Sequence, residues 1–165
     1  CEGDVLTHCF RPFPAAPARS DGRIREEILE ARERGVIFDI GHGVGSFGFE
    51  TAETMLNAGF LPDAISSDVH SLSIKGPAYD QLVTLSKFLH LGMSITDIIG
   101  ASTTGPARAI RRPDLGTLSP GSIGDATILS IEKGDFIFTD SLGHTRSGEK
   151  KFTLKGIVLD GEMWG

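Results

Sequence analysis

Three short apolar runs, each stopping on a side chain able to bind a metal, constrain this chain more than any other feature. Asp4-Val5-Leu6-Thr7 stops at His8. Val36-Ile37-Phe38-Asp39-Ile40 stops at Gly41-His42-Gly43. Ala64-Ile65-Ser66-Ser67 stops at Asp68-Val69-His70. Runs of this length and β-branched content have the character of buried strands. Helix-like stretches separate them, and strand–helix alternation predicts a parallel sheet or barrel whose C-terminal strand ends open on one face, where active sites form. His8, His42 and Asp68 are therefore expected to meet in space though far apart along the chain.

The intervening pattern supports this. Arg11 to Ala18 holds Pro12, Pro14 and Pro17 and reads as a loop. A helix is expected from Arg23 to Arg34, capped by Ser20 or Asp21 and ended by Gly35. A second runs from Phe49 to Ala58, a third from Ala78 to Leu91, and a fourth, capped by Ser94, from Ile95 to about Ser102. Ala107 to Arg111 adds a last turn. The texture changes at Arg111-Arg112-Pro113-Asp114. Beyond it, strands are expected at Gly116-Thr117-Leu118, Ala126 to Ile131, Phe136 to Thr139 and Lys151 to Leu159, punctuated by glycines. The expected organisation is a strand–helix unit over residues 1–112 and a small β segment over 113–165.

Composition excludes several classes. A net charge of −6 and a pI near 5.3 lack the basic face that nucleic-acid binding needs. No apolar run reaches the length of a membrane span and no signal-peptide pattern is present, so no membrane partner is expected. Two cysteines, Cys1 and Cys9, make no disulfide framework, and a cytoplasmic location is the simplest expectation. The absence of an initial Met, with Cys1 directly before a strand-like run, suggests part of something longer.

Imidazole and carboxylate are usual zinc ligands, and three such groups at strand ends suit a divalent metal, with His8, His42 and Asp68 as candidate ligands. A single histidine is more often a core or surface residue than a ligand, so the case rests on all three together. Asp68 has two readings: ligand and proton carrier beside a metal-activated water, or a turn cap. His70, Gly43 and Ser46 are candidate substrate contacts; His70 can also orient the aspartate or simply belong to its loop. Ser66 and Ser67 lack a nucleophile elbow and read as strand-end hydrogen-bonding groups. Gly41 to Ser46 lacks the Gly-Lys-Ser/Thr ending of a phosphate loop. His90 reads as structural, His144 as a turn residue, and Lys87 as a solvated face residue of its helix.

Taken together, Thr7-His8-Cys9-Phe10, Phe38 to Gly43 with Gly45-Ser46-Phe47, and Ile65 to His70 resemble the second half of an amidohydrolase-superfamily enzyme of the deacetylase and dihydroorotase-like group. Ala101 to Arg108 resembles the segment that follows the barrel aspartate in those enzymes, and Gly116 to Gly121 with Gly124 to Leu129 resembles the return into their small β domain. The resemblance implies an α/β chain: the second half of a (β/α)8 TIM-type metallohydrolase barrel followed by part of a small β domain. It implies one or two divalent metals, most often zinc, and attack of metal-activated water on a small-molecule amide, a non-peptide C–N bond such as that of an N-acetyl group or cyclic amide, or on an ester. Carried over by position, His8 and His42 become later-strand ligands, and Asp68 the last-strand ligand and proton shuttle. The family's early His-x-His pair and bridging lysine have no counterpart in this chain, Gly105 replaces its usual Asn, and Gly124 its usual Ala.

The chain is therefore expected to be a fragment with little activity alone, whose missing partner is the N-terminal half of the barrel. One alternative is a non-catalytic truncated scaffold that self-associates as a homo-oligomer through open sheet edges. Another is a small stand-alone α/β metal-binding protein.

Overall fold

The computed structural model describes residues 1–164. Its organising feature is a run of parallel strands. Strand β1 (Val5–Leu6) pairs with β2 (Ile37–Phe38) in the register Val5 to Ile37 and Leu6 to Phe38. The ladder extends past both strands, with the Cys9 amide donating to Asp39 O at 3.1 Å. On the other side of β2 the 64–67 run lies parallel, bridged at Asp39 and Ala64. There the amides of Ile40, His42 and Gly43 donate to Ala64 O, Ser66 O and Ser67 O at 3.0, 3.1 and 3.0 Å. The three apolar runs are thus spatial neighbours in sequence order, with the Val36–Gly43 segment between the others. Phe38, Ile40 and His42 are fully buried on one side of this central segment.

Helix α1 (Glu26–Glu33) starts three residues later than the sequence suggests. Ile24 is held in a bridge to Ala18, and the Asp21 carboxylate accepts from the Arg23 backbone and guanidinium instead of capping a helix. Helix α2 (Phe49–Asn57) buries Phe49, Ala52 and Met55, a three-residue spacing that keeps them on one face. Helix α3 (Gln81–His90) is capped by Asp80, whose Oδ1 accepts from the Val83 amide at 2.7 Å. Helix α4 (Ile95–Ser102) is capped by Ser94 as expected, and α5 (Thr104–Ala109) follows directly.

The remaining strands form an antiparallel sheet in the order β3 (Ala126–Thr139), β4 (Thr145–Leu159), β5 (Glu162–Trp164). The two runs expected at 126–131 and 136–139 are one strand, because a bulge between Lys133 and Phe136 carries the polar interval along the ladder. No strand forms at Gly116–Leu118, where the Thr117 hydroxyl meets Ser119 within a turn.

One core joins the two parts. Phe10, Phe38, Phe47, Phe49 and Phe88 cluster with Phe138 of β3 and Phe152 of β4. Phe47 makes edge contacts with Phe49 and Phe88, each with ring centroids 5.6 Å apart. Phe152 also donates its amide to Ser86 Oγ of α3 at 2.9 Å. Burying a phenylalanine contributes about 1.5–3 kcal/mol, so Phe138 and Phe152 tie the sheet firmly to the helices. Among the described residues no helix is long and apolar enough to cross a membrane.

Candidate active site at the strand ends

The parallel run ends in a set of left-handed backbone conformations. His8 has φ 59°, Gly41 49°, Gly43 51° and Asp68 46°. Histidine and aspartate adopt this region more readily than bulkier residues, but at a cost that the surrounding structure must hold in place. The strain falls where the chain leaves the strands and turns its polar side chains toward one turn, Gly41-His42-Gly43.

The two glycines are required by what stands against them. A β-carbon on Gly41 would collide with Thr7 Oγ1 and lie 2.6 Å from His8 Nδ1. A β-carbon on Gly43 would lie 2.6 Å from Asp68 Oδ2. The missing side chains are therefore what admits His8 from one neighbouring strand and Asp68 from the other. His8 Nδ1 is 2.7 Å from Gly41 O; with the Nδ1 proton donated there, Nε2 keeps its lone pair. The Asp68 side chain is exposed, at the rim of the turn.

Beneath this turn lies a polar layer in which Ser66 is the strand-end hydrogen-bonding group expected of it, and to which Thr7 and Asp39 add members that the sequence does not single out. Asp39 Oδ2 accepts from Thr7 Oγ1 at 2.6 Å and from Ser66 Oγ at 2.9 Å, and Ser66 Oγ accepts from the Gly41 amide at 3.0 Å. One residue from each strand end is thus joined through a single carboxylate, which fixes the register of all three. Nearby Cys9 is buried, and burial together with Asp39 pushes its thiol far above the ordinary range, which removes it as a nucleophile.

His42 does not join His8 and Asp68. Strand side chains alternate, so His42 follows Phe38 and Ile40 into the core, while positions 39, 41 and 43 face the polar side. Its ring stacks on Phe47 with centroids 4.7 Å apart. Nε2 receives the Lys87 ammonium at 2.7 Å, and Nδ1, which then carries the proton, faces Gly43 O at 3.0 Å. Burial and the adjacent Lys87 push its pKa down to about 4. Both ring nitrogens are occupied, so His42 does not fit as a metal ligand; its place as a ligand in the sequence reading is corrected on this ground. Lys87, expected on a solvated face, is fully buried, and burial pushes its pKa down to about 7.

The other expected residues are placed as follows. Gly43 is the buried glycine against Asp68, and Ser46 is half-buried, its amide donating to His42 O at 3.3 Å. His70 is exposed; its amide donates to Ser73 Oγ at 3.0 Å, and its Nδ1 accepts from the Leu72 amide at 3.3 Å, which leaves Nε2 facing outward from the loop. His90 packs beside Phe138, and His144 Nδ1 lies 3.5 Å from Asp140 Oδ2. Among the described residues no three His, Cys, Asp or Glu side chains stand together as a metal-holding group. His8 and Asp68 are the expected ligands that stand against the glycine turn, each through its own glycine.

Known proteins match this chain over almost all of its length. The model of the amidohydrolase family matches residues 24–164. A protein named deacetylase from Enterococcus faecalis is 34% identical over 165 residues, which is 99% of this chain and 45% of the deacetylase. The crystal structure of an adenine deaminase aligns with a TM-score of 0.93 at 34% identity, covering 99% of this chain and 45% of that one. That of a dihydroorotase aligns with a TM-score of 0.80 at 32% identity, covering 98% and 42%. The chain spans less than half the length of each of these relatives.

Proposed function

The chain belongs to the amidohydrolase family, and from that premise we propose that it is part of a metal-dependent hydrolase that cleaves a small-molecule amide or ester, with a deacetylase-like N-acyl bond as the leading substrate class. The observation that carries this reading is the approach of His8 and Asp68, from the two strands flanking β2, onto the same glycine turn. On this reading the three parallel runs are a consecutive arc of a (β/α)8 barrel over residues 1–112, and residues 113–165 belong to a small β domain.

His8 and Asp68 would hold a divalent cation, zinc in the first instance, which when bound supplies an activated water and polarises the scissile carbonyl. The chain's own residues do the rest. The bond from His8 Nδ1 to Gly41 O fixes the imidazole and its tautomer. Asp68, exposed at the rim, takes a proton from the attacking water and returns it to the leaving amine or alkoxide. Gly43 leaves room beside that carboxylate, and His70 Nε2 and Ser46 line the approach for substrate. Two donors do not complete a hydrolytic metal site, so the active enzyme is this chain together with a further segment that supplies the remaining ligands. That completed enzyme is the species meant below.

The test is hydrolysis of N-acetylated amino and hydroxy acids with added zinc. The isolated chain is expected to show little turnover and the completed enzyme robust turnover that Asp68→Asn abolishes. Full turnover by the isolated chain, or an Asp68→Asn enzyme as active as the parent, contradicts the reading. Self-association through the open β1 edge, where Val5 and Leu6 are exposed, is the competing role. A clean monomer by light scattering speaks against it.

A further inference from the structure

Lys87 is a fully buried charge that the proposed chemistry leaves unused, and it has three hydrogen-bond partners. The ammonium donates to His42 Nε2 at 2.7 Å, Pro77 O at 2.8 Å and Thr139 O at 2.7 Å. An ammonium has three protons, and all three are used. Each partner lies on a different segment. His42 is the middle residue of the glycine turn. Pro77 closes the Ser71–Pro77 loop that follows Asp68, a loop pinned internally by Ser73 Oγ to Asp68 O at 3.3 Å. Thr139 is the last residue of β3.

We propose that Lys87 is the positioning residue of the strand-end site: it braces the Gly41–Gly43 turn, the loop behind Asp68 and the end of β3 against one another, and so sets the separation of His8 from Asp68. Geometry carries this. His8 touches Gly41 and Asp68 touches Gly43, so any rotation of the turn about His42 moves both against each other. The ring that transmits the constraint is itself clamped, by Phe47 stacked on its face and by Gly43 O at Nδ1. A lysine serving only to fill space would be matched by an apolar side chain of equal length, and the unpaired acceptors His42 Nε2, Pro77 O and Thr139 O would then be its only consequence.

The inference rests on the proposed hydrolase reading for its catalytic meaning, but its test does not need activity. Amide hydrogen exchange at His42 and Gly43, measured in the full chain without metal or substrate, reports the turn directly, since these amides donate to Ser66 O and Ser67 O. Lys87→Met is expected to raise exchange there by about tenfold or more while leaving the amides of α2 within about threefold of the parent. His42→Phe keeps the ring stack but removes the acceptor and is expected to do the same; His42→Gln keeps an acceptor and is expected to stay near the parent rate. In the completed enzyme, Lys87→Met is expected to lower kcat about 100-fold with KM changed by less than about threefold, and the Lys87→Met, His42→Phe double variant to lose no more than the single. Parent-like exchange in both Lys87→Met and His42→Phe overturns the proposal, as do equal losses in His42→Phe and His42→Gln. The His42 pair decides the matter if Lys87→Met does not fold. A completed enzyme without hydrolytic activity would remove the functional reading while the exchange result still stands.

Discussion

The Asp68 carboxylate occupies the space that a side chain on Gly43 would need, with Oδ2 2.6 Å from the position of a β-carbon there. The contact couples a backbone choice on one strand to a functional group on the next. Gly43 also has φ 51°, a conformation that disfavours alanine on its own account. Gly43→Ala is therefore expected to cost about 1–3 kcal/mol in urea unfolding and to reduce hydrolysis about 100-fold by displacing Asp68. Parent-like values for both would mean that the turn is not shaped around the carboxylate.

Asp68→Asn separates chemistry from fold. Asparagine accepts positive φ as readily as aspartate, and the side chain is exposed, so the thermal midpoint is expected to stay within about 2 °C of the parent. In the completed enzyme, loss of the proposed proton carrier is expected to lower kcat by about 10²–10⁴-fold, read by steady-state kinetics at saturating substrate.

His42 makes stability depend on pH. Its folded pKa of about 4 lies below the ordinary 6.5, so the folded chain binds fewer protons than the unfolded one between those values. This contribution is present above pH 6.5 and is lost as pH falls toward 4. Lys87, lowered from 10.5 to about 7, acts with the same sign between pH 7 and 10.5. Urea midpoints are expected to rise with pH in both windows, each group adding at most about 1.4 kcal/mol per pH unit. His42→Gln flattens the lower window and Lys87→Met the upper; an unchanged slope in either variant contradicts the burial argument.

Asp140 latches the antiparallel sheet to the helix that follows the glycine turn. Its buried carboxylate accepts from the Phe49 amide at the start of α2 at 3.1 Å, and from the Leu142 and His144 amides at 2.8 and 2.9 Å. The Ser141 amide adds a bond to Phe47 O at 2.9 Å. Asp140→Ala strands three donors and is expected to lower stability by about 3 kcal/mol, a drop of roughly 6–12 °C in Tm by calorimetry. A drop under about 2 °C would show that the latch does not hold the sheet.

Much of this arrangement is legible along the chain, and the parts that are not have physical reasons. The three apolar runs and their glycine and acidic terminations point to neighbouring parallel strands, and Ser94 and Gly59 mark helix ends correctly. His42 misleads because the spacing of the runs shows where they stop but not which way the last residue faces: counting by two from Phe38 sends it to the core with Ile40, and the same count puts Asp39 among the polar groups. Lys87 looks solvated in a list of helix residues. Yet it lies between Thr84 and Phe88 on the buried stripe of α3, and Val83 and Leu91, four residues either side, offer it no countercharge. The acceptors that hold it, Pro77 O and Thr139 O, are backbone atoms brought in by the fold, and side-chain identity does not announce them. The same holds for Asp140, whose partner on α2, the Phe49 amide, is 91 residues away.

Zinc content after dialysis measures most directly which side chains hold the proposed metal. In the completed enzyme, His8→Asn and Asp68→Asn, both tolerant of the left-handed backbone, are expected to lose at least half of the bound zinc seen in the parent, and His42→Gln to keep it. Zinc retained in both of the first two variants, or lost only in His42→Gln, would contradict the assignment of the site to His8 and Asp68.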